Sequence, residues 1–272
     1  MRAFKRWCAA LGTGLATLLV SACDRGNPNQ VALAPPTEGV PKKLSPLRNE
    51  IPPDQLSPVM EAHLRGLGYM EQLKVYSKAV AEFRMVHQLA PGWIPGSINL
   101  AIALLNEAGQ KNEQAKKAGG GAAEKPFEEA LSLLDDVIAR DPENLHAHFT
   151  RGIILEYTGQ FPEAHREFKV VTERDPNDPH AWLKLGSSLM DPDYPNRQAG
   201  PKQAKELVAI YSKAVDHNPY LLPALYKLQT AYGWSGDRDA QAKVLKLWRE
   251  LDQRSNVRGS GDRSDMAYGE MG

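Results

Sequence analysis

The sequence predicts an all-α fold, a solenoid of about five helix-turn-helix repeats. The first observation is a repeated tripeptide, because Arg140-Asp141-Pro142 returns as Arg174-Asp175-Pro176, 34 residues later. A period of 34 residues is typical of paired-helix repeats that stack on one another. The second observation is that small, apolar and turn-forming residues keep one register in the neighbouring stretches of the chain. Prolines, which cannot continue a helix, separate these stretches.

The stretch at 143–176 carries the clearest pattern. Its apolar, small and turn-forming positions are His146, Phe149, Gly152, Leu155, Gly159, Phe161, Ala164, Phe168 and Val171. This pattern resembles the tetratricopeptide repeat family. The resemblance implies that Gly152 and Ala164 lie where the two helices of a repeat cross, and that Gly159 makes the turn between them. It also implies that Phe168 and Val171 project into the next repeat.

The repeats before this stretch are predicted at 58–91 and 92–142. The first is degenerate, with Ala79, Phe83 and Val86 at the apolar positions of its second helix. Degeneracy is expected at an end of the array, where one side faces solvent. The second repeat is 17 residues longer than the period, because Pro91 and Pro142 are 51 residues apart. We assign the excess to a Gly/Lys/Ala-rich loop at 110–125.

The repeats after it are predicted at 177–219 and 220–254, so that the superhelix spans 58–254. The fourth matches the family through Trp182, Leu185 and Gly186, with Leu189 where the family has Tyr. Its nine extra residues are assigned to a loop at 191–201. The fifth carries its matching residues at Leu228, Tyr232, Gly236 and Trp248. Residues 255–272 lose the period and are predicted to be a disordered tail.

Residues 1–22 are predicted to be a cleaved signal peptide. Three basic residues within the first six precede an apolar stretch at 7–20, shorter than the ~20 residues that a membrane-spanning helix needs. The stretch closes with Val20-Ser21-Ala22-Cys23, which resembles the lipobox of bacterial lipoproteins, although Val20 stands where Leu is usual. The resemblance implies a lipid on Cys23 that anchors the chain to the cell membrane, facing the periplasm. The alternatives are a plain secretory signal, which leaves Cys23 a free thiol, and an uncleaved amphipathic anchor.

Residues 23–57 are predicted to be the lipidated cysteine followed by a proline-rich linker. Eight prolines lie between Pro28 and Pro58, and such a composition favours extended, PPII-like chain. The alternatives are a cleavable propeptide and an ordered arm that lies on the domain. Asp24, directly after the cysteine, resembles the signal that keeps some lipoproteins in the inner membrane; the choice between inner and outer membrane stays open.

Composition excludes several classes of function. The other cysteine, Cys8, lies inside the predicted signal peptide, so the mature chain keeps no thiol for disulfides, zinc or nucleophilic catalysis once Cys23 is lipidated. Removal of residues 1–22 leaves 33 − 3 = 30 basic against 33 acidic side chains, and nucleic-acid binding needs a concentrated basic face. We therefore predict no nucleic-acid partner and no cofactor.

Chemical motifs are also missing from the sequence. It contains no H-E-x-x-H, no G-x-S-x-G and no P-loop, so no enzymatic activity is predicted. His146 and His180 occupy the same position in successive repeats, but one repeat separates them, which is too far for a single metal ion. We therefore predict no metal site.

The resemblance implies that the first helix of each repeat lines the concave face of the superhelix. The predicted partner-binding residues are the two inward positions of four repeats: Ile98, Ile102, Phe149, Ile153, Leu183, Ser187, Tyr226 and Thr230. Related domains that clamp acidic chaperone termini present Lys, Arg and Asn there. This mainly apolar set favours an amphipathic helix or an extended peptide. For Ile102 and Ile153 the alternative is packing between helices.

Two functions are compatible with these features. The first is a membrane-anchored extracytoplasmic scaffold that binds a protein or peptide partner in the groove. The alternative is the N-terminal repeat and docking part of a longer extracytoplasmic protein, because the region from Asn218 to Tyr226 resembles repeats that precede FG-GAP and ASPIC-type domains.

Overall fold

The structure, a computed structural model, describes residues 51–71, 75–119, 126–189 and 200–258. The predicted signal peptide, Cys23 and residues 24–50 of the linker lie outside these ranges. The described residues form ten α-helices and one 3₁₀ turn, without a β-strand among them. The helices are α1 (Leu56–Glu71), α2 (Tyr76–Leu89), α3 (Ile94–Lys117), α4 (Pro126–Arg140), α5 (Leu145–Tyr157), α6 (Phe161–Arg174), α7 (Pro179–Ser188), α8 (Pro201–His217), α9 (Leu222–Ser235) and α10 (Arg238–Arg258). The predicted all-α fold is confirmed.

The helices pack in the order in which they occur in the chain. Each helix contacts the next one, and α3 also contacts α5 across the intervening α4. Odd-numbered helices are the first helices of five successive pairs, and even-numbered helices are the second. The apolar core runs along the array, from Ala79 in the first pair to Leu185 in the fourth, with a second cluster from Leu183 to Ala231.

Polar caps at the repeat boundaries explain where the middle helices begin. The Asn144 side chain accepts a hydrogen bond from the Ala147 N–H at 3.0 Å, and Asp178 accepts from the His180 and Ala181 N–H groups at 2.8 and 3.2 Å. These bonds satisfy N–H groups that a helix start leaves unpaired. Pro179 occupies the first residue of α7, where its missing N–H costs nothing.

Glycines set the distance between the two helices of a repeat. A Cβ atom added to Gly152 would lie 2.7 Å from the Phe168 ring, and one added to Gly186 would lie 2.4 Å from the Tyr211 ring. Both aromatic rings are almost completely buried. The crossing role predicted for Gly152 is therefore observed, whereas the Phe168 ring, predicted to project into the next repeat, packs on Gly152 of its own repeat. Gly159 has φ +80°, as expected for the residue that makes the turn between α5 and α6.

The second repeat departs from prediction, because the stretch expected as a loop from residue 110 is helical as far as Lys117. Contact with the third repeat accounts for the longer helix. The Asn112 side chain is 1% exposed and its Nδ2 donates to the Tyr157 hydroxyl at 3.2 Å. Residues 120–125 lie outside the described ranges, and so do residues 190–199, which hold most of the other predicted loop.

Both ends of the array are longer than predicted. A 3₁₀ turn at Pro53–Gln55 leads into α1, so the helical region begins inside the predicted linker. Pro58 lies in the first turn of α1, where a helix tolerates proline. At the other end α10 extends to Arg258, four residues past the predicted boundary at 254, because no Gly or Pro interrupts the sequence between Arg238 and Arg258. Residues 259–272 of the predicted tail lie outside the described ranges.

Candidate partner-binding face

We call the surface formed by α3, α5, α7 and α9 the first-helix face; it carries all eight predicted partner-binding residues. Three of them, Ile98, Ile153 and Leu183, are only 7, 7 and 8% exposed. Ile102 and Phe149 are half-buried and pack against the main core. The Phe149 ring meets the Phe168 ring edge-on, with centroids 5.7 Å apart. These five side chains therefore contribute chiefly to packing and offer a partner little surface.

The other three predicted residues are more accessible. Ser187 and Thr230 are half-buried, and the Thr230 hydroxyl donates to the Tyr226 carbonyl at 2.8 Å. Tyr226 is 51% exposed, and its ring lies 5.7 Å from the ring of Trp248 on α10. The accessible part of the predicted set is thus concentrated on α9, and the partner-binding role of all eight stays a prediction.

The sequence-based set omitted a charged pair on this face. Lys184 Nζ on α7 lies 2.8 Å from Glu156 Oε2 on α5, and the two side chains are only 15 and 20% exposed. Both lie outside the positions taken from the repeat pattern, and a separation of 28 residues gives no local signal of pairing. Because Lys184 is neutralised within the fold, its presence does not turn the face into a site for free carboxylates.

The sequence-based set also omitted Tyr157, at the C-terminal end of α5. Its ring packs 5.1 Å from the ring of Phe127 on α4, and its hydroxyl accepts the hydrogen bond from Asn112 on α3. The half-buried side chain therefore connects three helices of two repeats. A 34-residue period could not reveal it, because the position in the fourth repeat that is equivalent to Tyr157 falls in the extra residues of that repeat.

Two equivalent side chains join successive repeats. Trp182 Nε1 donates to the Pro176 carbonyl at 2.7 Å, and 34 residues earlier His148 Nε2 lies 2.9 Å from the Pro142 carbonyl. His148 Nδ1 lies 2.6 Å from a Glu167 carboxylate oxygen. Both ring nitrogens therefore face oxygen atoms of neighbouring residues. The histidine has a structural role in place of the indole.

An ion-pair network extends from this histidine to the second repeat. Arg151 Nη1 contacts the other oxygen of Glu167 at 2.5 Å, and Arg151 Nε donates to Asp135 on α4 at 2.7 Å. The Glu167 side chain is 13% exposed. Three helices, α4, α5 and α6, are thus connected by charge-assisted hydrogen bonds, which are stronger than neutral ones.

The groups with the largest pKa shifts lie in the packed interior. Burial lowers the pKa of His63 to about 4; its ring is packed between Phe83 and Trp93, and its Nδ1 has no hydrogen-bond partner. Burial raises the pKa of the Tyr211 hydroxyl to about 12. Each shift comes from loss of hydration around the charged form. Neither group is accessible enough to act on a bound molecule.

In the part of the chain that the structure describes, no three His, Cys, Asp or Glu side chains come together as a metal site would need. His146 and His180 are therefore not joined with further ligands there. Among the same residues, no helix combines the length and the apolar character needed to cross a bilayer.

The chain is similar to known proteins in sequence and in fold. Residues 121–187 match the family model of the tetratricopeptide repeat, which agrees with the family predicted from the pattern at 143–176. The solved structure of MamA 41-end from Desulfovibrio magneticus RS-1 matches with a TM-score of 0.53 and 16% identity, over 72% of this chain and 96% of that chain. A MamA RS-1 double mutant matches with a TM-score of 0.53 and 16% identity, over 73% of this chain and 97% of that chain. A crystal structure of MamA protein matches with a TM-score of 0.51 and 14% identity, over 76% of this chain and 97% of that chain. At these identities the likeness shows the fold.

Proposed function

We propose that this tetratricopeptide repeat protein is a membrane-anchored extracytoplasmic scaffold that binds a protein or peptide partner on its first-helix face. The observation that carries the proposal is the side-by-side arrangement of first helices from successive repeats. α3 contacts α5 directly, and the Glu156–Lys184 pair joins α5 to α7. Side chains from several repeats thus form one continuous surface on a rigid array, and rigidity lowers the entropic cost of binding.

The chemistry of this face favours a partner segment with an apolar side. Its accessible part includes the aromatic side chain of Tyr226 beside Trp248, and aromatic side chains are enriched where protein interfaces are fully buried. The cations described above on these helices, Lys184 and Arg151, are already paired with carboxylates of the fold. An amphipathic helix or an extended peptide with apolar side chains therefore fits better than an acidic terminus.

Site-specific photo-crosslinking in the native organism tests the binding face. A photoreactive phenylalanine analogue replaces Tyr226, and the matched control places it at Tyr220, which is 76% exposed and precedes α9. We expect position 226 to give a discrete crosslinked product that position 220 does not give. Tyr226→Ala should reduce co-purification of that product's partner, and Tyr220→Ala should not. Equal crosslinking at both positions would contradict the proposed face.

A separate experiment tests the anchor. The proposal requires a mature N-terminus at Cys23 that carries acyl chains, because two or more chains give stable membrane attachment. Mass spectrometry of the N-terminal peptide should show the lipid, and Cys23→Ala should release the protein from the membrane fraction. A mature N-terminus elsewhere, or unchanged membrane retention of Cys23→Ala, would refute the anchor and leave the binding face untouched.

A further inference from the structure

The second helices carry two buried positions. One packs on a glycine of its own repeat, as Phe83 does on Gly66, and the other faces the following repeat, as Val86 faces Gly96. The two positions lie seven and ten residues into α2 and α6, at Phe83 with Val86 and at Phe168 with Val171. All four side chains are at most 2% exposed. The corresponding pairs of α4 and α8 are buried as well: Leu134, Val137, Tyr211 and Ala214. Each of these helices packs against the first helix of the next pair.

Within the described residues, α10 is the last second helix, and no following helix packs on its two equivalent positions. Leu245 and Trp248 lie seven and ten residues into α10, and both are half-buried. Leu247 beside them is 39% exposed, and Tyr226, whose ring packs on Trp248, is 51% exposed. No described helix follows α10. We call this surface of Leu245, Trp248 and Tyr226 the end face.

We propose that the end face docks an amphipathic α-helix of a partner protein, which lies where the first helix of a further repeat would lie. The argument is continuity with an interface that this chain already makes four times, at α2–α3, α4–α5, α6–α7 and α8–α9. At α2–α3 this contact brings Val86 against Gly96 of the covering helix, and in each case the first helix of the next repeat packs on the second helix before it. The inference concerns the end of the array: Leu245 and Trp248 on α10 belong to the end face alone, whereas Tyr226 lies where it adjoins the first-helix face.

The existing covering helices show what the partner helix needs. Gly96 of α3 approaches Val86 so closely that an added Cβ would lie 2.7 Å from the Val86 Cγ1 atom. At the equivalent position α5, α7 and α9 carry Ala147, Ala181 and Ala224, all completely buried. The partner helix therefore carries a small residue where it crosses Trp248, with apolar residues on the same side.

A charge at the end face adds a second requirement. His87 of α2 reaches across to α3, where its Nδ1 lies 3.1 Å from the Ser97 hydroxyl. The equivalent position of α10, eleven residues from its start, is Arg249, and its side chain is exposed. An occupant in the place of α3 would thus meet a guanidinium, so the partner helix carries an acidic side chain one position after the small residue.

A second copy of this chain does not meet these requirements. The first helix of the array in the described part of such a copy is α1, in which the position equivalent to Gly96 and Ala147 is Glu61. The side chain of Glu61 is 68% exposed and lies 3.8 Å from Arg65. A large charged residue thus stands where every covering helix has Gly or Ala, which disfavours stacking of α1 on α10.

The proposal is tested with a helical probe and the full chain. The probe is a fluorescein-labelled, hydrocarbon-stapled peptide of residues 144–158 in which His148→Glu supplies the acid after Ala147. Fluorescence anisotropy should show saturable binding to the wild-type chain. Trp248→Glu should weaken probe binding at least ten-fold. The matched variant Trp248→Phe should bind the probe within about three-fold of the wild-type affinity. Ser187→Glu on the first-helix face should leave the affinity unchanged.

A charge exchange keeps the test decisive if Trp248→Glu folds poorly. Arg249 is exposed, so Arg249→Glu should fold normally and weaken the acidic probe, and a probe with His148→Lys should recover the affinity. Absence of saturable binding, a loss caused by Ser187→Glu alone, or no recovery on charge exchange would overturn the proposal. Two further results would overturn the proposal as well. A dimer in sedimentation that Leu245→Glu abolishes would assign the end face to a second copy. Tighter probe binding after removal of residues 259–272 would assign the end face to the chain itself.

Discussion

The third and fifth repeats share one pattern but bury it differently. In the third, Phe168 and Val171 are 0 and 2% exposed beneath α7, and in the fifth the equivalent Leu245 and Trp248 are half-buried. Gly152 allows α5 to approach Phe168, and Gln229 stands at the equivalent position of α9. One sequence pattern therefore has a different stabilising value in the interior of the array and at an end.

Two buried histidines extend the contrast to the other end of the array. His148, in the third repeat, has an oxygen acceptor at each ring nitrogen and is connected through Glu167 to Arg151. His63, in the first repeat, is 4% exposed, and its Nδ1 has no partner. The interior histidine is held by polar contacts to its surroundings, whereas the terminal one is held by aromatic packing alone and must remain neutral.

The largest expected effect separates the interior from the end. Phe168→Ala removes a fully buried ring and should lower the free energy of unfolding by about 3–5 kcal/mol. Leu245→Ala, at the equivalent but half-buried position, should cost about 1–2 kcal/mol, because much of that side chain already contacts water in the native state. Urea denaturation followed by circular dichroism measures both. Equal costs would show that α10 is covered in solution.

The next largest effect should be a pH-dependent loss of stability that comes from His63. Its pKa is about 4 in the folded chain, against about 6.5 when unfolded, so the unfolded state binds the proton more readily between these values. The stabilisation that neutral His63 gives the folded state is complete above pH ~6.5 and is lost as the pH falls. Near pH 4 the free energy of unfolding is lower by about 3 kcal/mol for this reason.

The control for this effect is His63→Phe, which keeps an aromatic ring between Phe83 and Trp93 and cannot titrate. Urea denaturation at pH 7 and at pH 4.5 should show a smaller loss of stability for the variant than for the wild type. The carboxylates titrate alike in both chains and cancel in the comparison. Parallel losses in the two chains would mean that His63 is not buried as the structure shows.

A glycine pair tests the close helix crossing of the interior. Gly186→Ala places a Cβ 2.4 Å from the Tyr211 ring and should cost about 1–3 kcal/mol. Gly68→Ala in α1 has no atom within 4 Å and should stabilise the chain by about 0.5–1 kcal/mol, because alanine favours the helix. Thermal melts of the two variants should shift in opposite directions. A neutral Gly186→Ala would show that the fourth repeat absorbs the extra methyl group.

The fold could be predicted from the sequence wherever a residue contacts a partner within its own repeat. Gly152, Gly159 and Gly186 do so, because their partners lie in the same repeat, a fixed distance along the chain. Phe168 was predicted to project into the next repeat, but its ring packs on Gly152 of its own. The continuation of α3 to Lys117 did not follow from the pattern, since it depends on contacts such as the one between Asn112 and Tyr157 in another repeat. Local composition rich in Gly, Lys and Ala suggested a loop, and tertiary contacts outweighed it.

The candidate site was less accessible to sequence reasoning than the fold. The repeat pattern placed Ile98, Ile153 and Leu183 on the first-helix face, but it does not specify how far neighbouring helices cover each side chain. The exposure of Tyr226 depends on its contact with Trp248, and the pairing of Lys184 with Glu156 depends on the offset between adjacent repeats. Both are properties of packing between elements and leave no local mark in the sequence.

The neighbour-by-neighbour packing of the helices has a consequence for how the chain acquires its structure. Its substantial contacts within the described ranges join helices that are adjacent in the chain, or separated by one helix in the case of α3 and α5. Low sequence separation of contacts is associated with fast folding, and a stack of this kind can start at one pair and grow outward. The earliest pairs can therefore become ordered while later ones are still being synthesised, and a nascent chain need not wait for its last residues.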